Sequence, residues 1–205
     1  MLWIDCEQNT EEWDSLRIGR IGGSEIHTIM ANYGKAFGDP AKNLAAYIAA
    51  EQKDGIARTR GMAPNEHMKR GHEQEPIARM RYEEDRFATV TNGGYYIVGD
   101  DIGVSPDGHV YEDGLVEIKS VTIPVQAATI RRGAFDPKYK WQIAQELKVS
   151  GREWIDYISF CAEGTADNQL FVQRIYPADL TEEFNQIDIR VDEFRRLVDK
   201  NRKYV

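Results

Sequence analysis

Apolar residues recur at spacings of three and four in some stretches of this chain and alternate in others, and the changes of period mark its elements. The helical period predicts helices near 11 to 18, 24 to 33, 40 to 53, 64 to 86 and 137 to 150, with a long one from about 182. Alternation predicts strands near 87 to 91, 95 to 99, 102 to 111, 115 to 121, 154 to 161 and 169 to 176. The punctuation agrees. Asp136-Pro137 supplies a cap and a first-turn proline, Gly151 the residue past a helix end, and Glu112-Asp113-Gly114 a turn. In the last helix Phe184, Ile187, Val191, Phe194 and Val198 form a stripe suited to a core or a subunit contact. The order predicts an α/β fold, a mixed central sheet flanked by helices, with the 102-to-121 strand pair inside it.

Composition narrows this picture. A chain of 205 residues with 41% hydrophobic content is long enough for one sizeable core, and no Pro- or Gly-rich stretch divides it. One domain is expected. No run is long enough to span a membrane, and Met1 to Glu12 lacks the apolar segment of a signal peptide, which predicts a cytosolic protein. Cys6 and Cys161 are too few for a disulfide framework. A net charge of −8 argues against a protein that coats nucleic acid with its whole surface. It leaves room for a local basic channel, for which the candidate clusters are Arg58, Arg60, Lys69 and Arg70, and Arg131, Arg132, Lys138 and Lys140.

The densest chemistry lies in Ser105-Pro106-Asp107-Gly108 and, across the turn, Glu117-Ile118-Lys119. Alternation puts Glu117 and Lys119 on one face and Val116 and Ile118 on the other. With residues 112 to 114 as the turn, position 107 faces 119 and Asp107 joins the polar face; a two-residue loop turns it away. Two carboxylates and a backbone carbonyl suit a hard divalent cation, Mg²⁺ first, of the kind that cleaves phosphodiesters. A neighbouring lysine can orient the attacking water, and burial beside cations lowers its pKa toward that of a base. The plainer alternative is an exposed Glu117–Lys119 ion pair beside an ordinary turn.

Three other segments bear on that choice. In the helix from 64 to 86, Met68, Gly71, Glu75, Ala78 and Tyr82 share a seam, so Glu75 is a carboxylate on an apolar stripe beside the helix-kinking Pro76. It serves either a cation or an ion pair with Arg79. Leu16-Arg17-Ile18-Gly19 leads into Gly22-Gly23-Ser24-Glu25, where helix-start amides, a hydroxyl and Arg17 suit an anion, although capping alone explains Ser24. Tyr139, Gln142, Glu146 and Val149 share one side of the 137-to-150 helix, where Gln142 is either surface or site.

Taken in order, Leu16-Arg17-Ile18-Gly19 with Gly23-Ser24-Glu25, Gly71-His72-Glu73-Gln74-Glu75, Ser105-Pro106-Asp107-Gly108, Glu117-Ile118-Lys119 and Tyr139-Lys140-Trp141-Gln142 resemble the lambda exonuclease family of phage recombination exonucleases, within the PD-(D/E)xK nuclease superfamily. The resemblance spans most of the chain and implies a single nuclease domain over residues 1 to 205 with a restriction-endonuclease-like core. It implies two Mg²⁺ ions per site, with Mn²⁺ as a substitute, held by Asp107, Glu117 and the Ile118 carbonyl, with Glu75 completing the second ion's surroundings. Lys119 then acts on the attacking water, and Gln142 belongs to the catalytic cluster. Arg17, Ser24 and Ser105 match positions that grip the terminal 5′-phosphate, and Gly22 and Gly23 stand where the family has a hydroxyl residue, which suggests backbone amides there. The two cysteines rule out the superfamily's iron–sulfur cousins.

The implied activity is 5′-to-3′ digestion of one strand from double-stranded DNA ends, leaving 3′ single-stranded tails. The implied setting is a phage or prophage recombination system in a bacterial cytoplasm, with a ring-shaped homotrimer and a single-strand annealing protein as partner. The rival readings are a restriction-type or structure-specific endonuclease on the same core and a catalytically silent DNA-end binding module. Residues between Gly34 and Ala63 match poorly, so no duplex-splitting loop is assigned.

Overall fold

The computed structural model describes residues 1–60 and 66–205, with the backbone alone at 66–68. The expected helix start at Pro64 and the Met68 side chain therefore lie outside the described residues. In chain order the elements are β1 (Leu2–Ile4), α1 (Glu11–Arg17), β2 (Ile21–Gly22), α2 (Ile26–Met30), α3 (Asp39–Asp54), α4 (Glu66–Arg86), β3 (Val90–Thr91), β4 (Tyr95–Val98), β5 (Ile102–Val104), β6 (Gly108–Val110), β7 (Gly114–Ser120), α5 (Ile123–Arg132), α6 (Lys140–Ser150), β8 (Trp154–Phe160), β9 (Leu170–Ile175) and α7 (Thr181–Asn201). The helices end as their sequences dictate. Gly55, Gly133 and Gly151 take left-handed conformations just past α3, α5 and α6. Three elements were not expected, the short β1 and β2 and the helix α5, although Thr122, Pro124 and Gly133 punctuate the last.

The α/β fold is as expected, and the strands divide between two mixed sheets. The larger has the order β3-β6-β7-β8-β9, with β7 and β8 parallel and α5 and α6 in the connection between them; the smaller has the order β1-β4-β5-β2. The predicted strand from 102 to 111 is broken at Ser105-Pro106-Asp107. Its first half, β5, pairs in the small sheet with β4 and β2, and its second half, β6, pairs in the large one with β3 and β7. Proline has no N–H for a ladder, and the chain changes sheets where it sits.

The turn also differs from expectation. Val110 pairs with Gly114 and Gly108 with Val116, so the turn is Tyr111-Glu112-Asp113, with Tyr111 at φ 54°. Continuing that register puts Asp107 opposite Glu117 rather than Lys119. The displacement is even, so Asp107 keeps the face it shares with both.

Each face of β7 and β8 belongs to a different apolar cluster. Val116, Ile118, Ile158 and Phe160 pack with Ala78 and Tyr82 of α4. Leu115, Ile155 and Tyr157 pack with α6, α3 and α7, where Ile187, Val191, Phe194 and Val198 are buried as the stripe predicted. Glu117 thus faces the second cluster, and α6 covers it. A charge that the periodicity did not reveal fixes α7 to this layer. Arg190, 2% exposed, donates to the carbonyls of Ile29, Ala31 and Lys35, pairs with Glu193, and lies over the Phe37 ring.

Arg190→Ala strands those carbonyls without their donor and leaves a void. It is expected to lower stability by at least about 3 kcal/mol in urea denaturation. Arg190→Lys, which keeps the charge and loses the planar fork, should recover only part of that. An unchanged urea midpoint in Arg190→Ala would rule out the clamp.

Candidate active site

Asp107 is tied to β7 through its backbone and its side chain. Its N–H donates to the Val116 carbonyl at 3.1 Å, and its Oδ2 accepts from the Ile118 N–H at 2.6 Å. Glu117, on the same face, is 1% exposed, and Lys119 Nζ lies 2.5 Å from its Oε1. From α6, Gln142 Nε2 donates to Glu117 Oε1 at 2.6 Å and to Glu146 Oε1 at 2.9 Å. The helix reaches the strand here because Gln142 and Glu146 are one turn apart on its inner side. Glu146 is as buried as Glu117, and it was not among the expected site residues. Its signal was its place on the same helical side as Gln142.

Three carboxylates thus converge on one ammonium. Burial, and then the Glu117 charge, push Asp107 and Glu146 well above the ordinary carboxylate range. Burial works against the Lys119 ammonium, but Glu117 and Asp107 outweigh it and hold the group above the ordinary lysine value. Lys119 also lies 5.1 Å from the centre of the Tyr139 ring.

Glu75 approaches from α4 on the other side of Asp107. Arg79 bridges the two, 3.6 Å from Glu75 Oε1 and donating to the Asp107 carbonyl at 2.6 Å. The ion pair with Arg79 is therefore formed, and it lies beside Asp107. Burial chiefly, and then the Glu117 charge working against Arg79, raise the Glu75 pKa. Glu75, Pro76, Arg79, His72 and Asp107 line one cleft, of about 360 Å³. Asp107, Glu117, Lys119, Gln142 and Glu146 line an adjoining one of about 190 Å³, which continues past Ser105, Tyr95, Ser24, Arg17 and Trp13. Asp107 is common to both.

At this second end, Trp13 is the organiser. Its Nε1 donates to Ser105 Oγ at 3.0 Å, and the Arg17 guanidinium lies 4.2 Å from the centre of its ring. Ser105 Oγ also donates to the Gly94 carbonyl at 2.8 Å, so its proton is engaged. Ser24 is exposed and is not the cap that its type suggested. The 3₁₀ turn Gly23–Glu25 precedes α2, and the Glu25 side chain accepts from the Gly22 N–H at 2.9 Å. That leaves the Gly22 amide committed, contrary to the expectation of an open amide. Gly23 serves another purpose, since a Cβ there would stand 3.2 Å from Glu146 Oε1.

In the first basic cluster Arg60 is turned inward, and Arg58 and Lys69 are paired with acids. Arg60 pairs with buried Glu51 and with Glu25, and donates to the carbonyls of Arg17 and Arg20, while Arg58 pairs with Asp54 and Lys69 with Glu73. In the second, Lys138 and Lys140 pair with Asp136 and Glu183, and Arg131 and Arg132 are exposed at the end of α5.

Among the described residues, no three His, Cys, Asp or Glu side chains already stand as a metal cage. The donors nonetheless fit a divalent cation. Buried Oε2 atoms of both Glu117 and Glu146 have no hydrogen-bond partner among the described residues, and three carboxylates face one lysine. Oxygen-only donors with excess negative charge suit Mg²⁺ or Mn²⁺.

The fold is that of the phage-type exonucleases. The alkaline exonuclease LHK-Exo from Laribacter hongkongensis is similar at 27% identity and TM-score 0.77, over 95% of this chain and 97% of that one. Its complex with dAMP matches at 28% identity, with the same TM-score and coverage. A phage-related exonuclease from Haemophilus somnus 129PT, 15% identical with TM-score 0.63 over 88% of this chain and 94% of that one, shares the fold. No curated protein matches in sequence. Residues 12–153, a span that contains every candidate site residue, match the YqaJ-like viral recombinase domain, and the chain belongs to that family. This is the lambda-exonuclease-like grouping that the five motifs resemble.

Glu146→Gln replaces one of three crowded carboxyl groups by a neutral amide and keeps the bond to Gln142. The metal-free protein should become more stable, on the order of 1 kcal/mol, while the stabilisation gained from Mn²⁺ shrinks. Thermal melts in EDTA and in Mn²⁺ measure both. A lower melting temperature in EDTA would overturn the repulsion argument.

Proposed function

We propose that this chain is a Mg²⁺-dependent exonuclease that digests one strand of double-stranded DNA in the 5′-to-3′ direction and leaves 3′ single-stranded tails for recombination by annealing. One observation carries the reading. A single cleft holds the acid–lysine cluster at one end and Arg17, Ser24 and Ser105 at the other, so a strand end seated by its phosphate at Arg17 runs toward the acids.

Each residue then has a task. Asp107, Glu117 and the Ile118 carbonyl would hold one ion, and Glu75, beyond Asp107, would complete the surroundings of a second. When bound, the ions stabilise charge on the attacked phosphate and the departing oxygen. The Ile118 N–H fixes Asp107, while Gln142 fixes Glu117 and Glu146 against each other. Lys119 orients the attacking water, and its ammonium is the local charge that compensates the acids. Attack on phosphorus breaks the bond to the 3′-oxygen, releases a nucleoside 5′-monophosphate and leaves a 5′-phosphate on the shortened strand. Each turnover thus regenerates the group that Arg17 grips. The dAMP bound by the Laribacter exonuclease is a molecule of that product class.

The same reading makes the chain one nuclease domain that works on DNA ends as a homotrimeric ring beside a phage single-strand annealing protein, in the cytoplasm of a bacterial host. Among the described residues no helix is long and apolar enough to cross a membrane.

Linear duplexes labelled at one terminus test polarity. Label at the 5′ end should be released early as mononucleotide and label at the 3′ end late, with EDTA stopping both and a covalently closed plasmid left intact. Cutting of the closed plasmid would favour the endonuclease reading instead. Lys119→Ala should lose at least about a hundredfold in rate while still binding DNA ends, since general acid–base and positioning groups contribute on this scale. Near-native cleavage by Lys119→Ala in saturating Mg²⁺ would remove the lysine from the mechanism.

A further inference from the structure

We propose that the Tyr95 hydroxyl is a further binding group of the end pocket, donating a hydrogen bond to the terminal 5′-phosphate beside Arg17; this rests on the end-recognition reading above. Tyr95 is 2% exposed, yet it belongs to neither apolar cluster. Its Oη is buried and has no hydrogen-bond partner among the described residues. Such a hydroxyl is destabilising, and a phenylalanine would fill the same space without that cost. A tyrosine kept there implies a ligand.

The small sheet aims this hydroxyl at the cleft. Tyr96, Ile102, Val104 and Ile21 turn into the larger apolar cluster, so the alternate positions 95, 103 and 22 face the other way. Gly22 and Gly103 are direct partners on β2 and β5, and a Cβ at Gly103 would stand 2.2 Å from Tyr95 Oη. The missing side chain of Gly103 therefore makes room for the end of the phenol, and Tyr95, Gly22 and Gly103 all line the cleft with Arg17 and Ser24. Two neighbouring donors are already engaged. The Ser105 proton goes to Gly94 and the Gly22 N–H to Glu25. Burial, against the pull of Arg17 and Arg20, pushes the Tyr95 pKa up to about 12, so the group meets an anion as a neutral donor.

The test compares wild type, Arg17→Ala and Tyr95→Phe on one linear duplex bearing either a 5′-phosphate or a 5′-hydroxyl. Wild type should prefer the phosphorylated end, and Tyr95→Phe should reduce the ratio of the two rates about tenfold, the scale of one hydrogen bond to a charged group. Its melting temperature should be unchanged or higher, because only an unpartnered oxygen is removed. If Arg17→Ala loses the preference and Tyr95→Phe keeps it in full, the assignment of Tyr95 fails and the pocket stands. If wild type shows no preference, the end pocket and this assignment fail together. A clear drop in the melting temperature of Tyr95→Phe would make the hydroxyl structural and also overturn the assignment.

Discussion

Asp107 is bound at two points to a single strand, by its own N–H to Val116 and by its carboxylate to the N–H of Ile118. Much of the site follows from this constraint. The chain has left the small sheet one residue earlier, at a proline that cannot pair, and it enters the large sheet with its first carboxylate already fixed. The two bonds set the register of β6 on β7 from the site end, while the turn sets it from the other. They put Asp107 opposite Glu117, so the two acids are adjacent before any ligand arrives. Arg79 adds a third tie by donating to the Asp107 carbonyl, which brings α4 and Glu75 to the same point.

That arrangement concentrates like charge where solvent is scarce. Glu117 and Glu146 are each 1% exposed, and the ammonium of Lys119 is the only cation among the five polar side chains that close this part of the cleft. A buried unpaired carboxylate is costly, and the raised pKa values of Asp107 and Glu146 express that cost as retained protons. A structural role alone does not account for it. Among the described residues the buried acids elsewhere are matched: Asp156 takes a bidentate Arg174 and the Tyr82 hydroxyl, and Glu51 takes Arg60 and the Gly19 amide. The contrast between satisfied and unsatisfied acids in one fold separates the site from the scaffold.

Much of this was legible in the sequence because period-two alternation is robust to even errors. The expected turn was misplaced by one residue on each strand, yet Asp107, Glu117 and Lys119 stayed on one face, since the register moved by two. The break of the 102-to-111 strand was not legible in alternation alone, which continues through Pro106. Glu146 was visible as a helical neighbour of Gln142, but nothing local said that this side of α6 meets β7. Arg60 failed as a DNA-binding candidate for a related reason. Composition counts a guanidinium as surface charge, whereas Glu51, one of its partners, is buried by the packing of α3. The Ser24 cap does not form, through competition, because Glu25 caps the turn in its place.

The two ends of the cleft differ in charge, and this bears on the net charge of −8. A DNA strand is repelled by the acidic exterior and by the acids of the site alike, so affinity has to come from few places. In the proposed reading Arg17 and its neighbouring donors hold the terminal phosphate, which carries more charge than an internal diester. The next diester then lies over Asp107 and Glu117, where it is tolerated only with a divalent cation between. An internal stretch of duplex lacks the first interaction and meets the repulsion of the second. End dependence then arises from electrostatics built into a single cleft: attraction reserved for a terminal group, and an acid cluster that excludes every phosphate not delivered together with its metal.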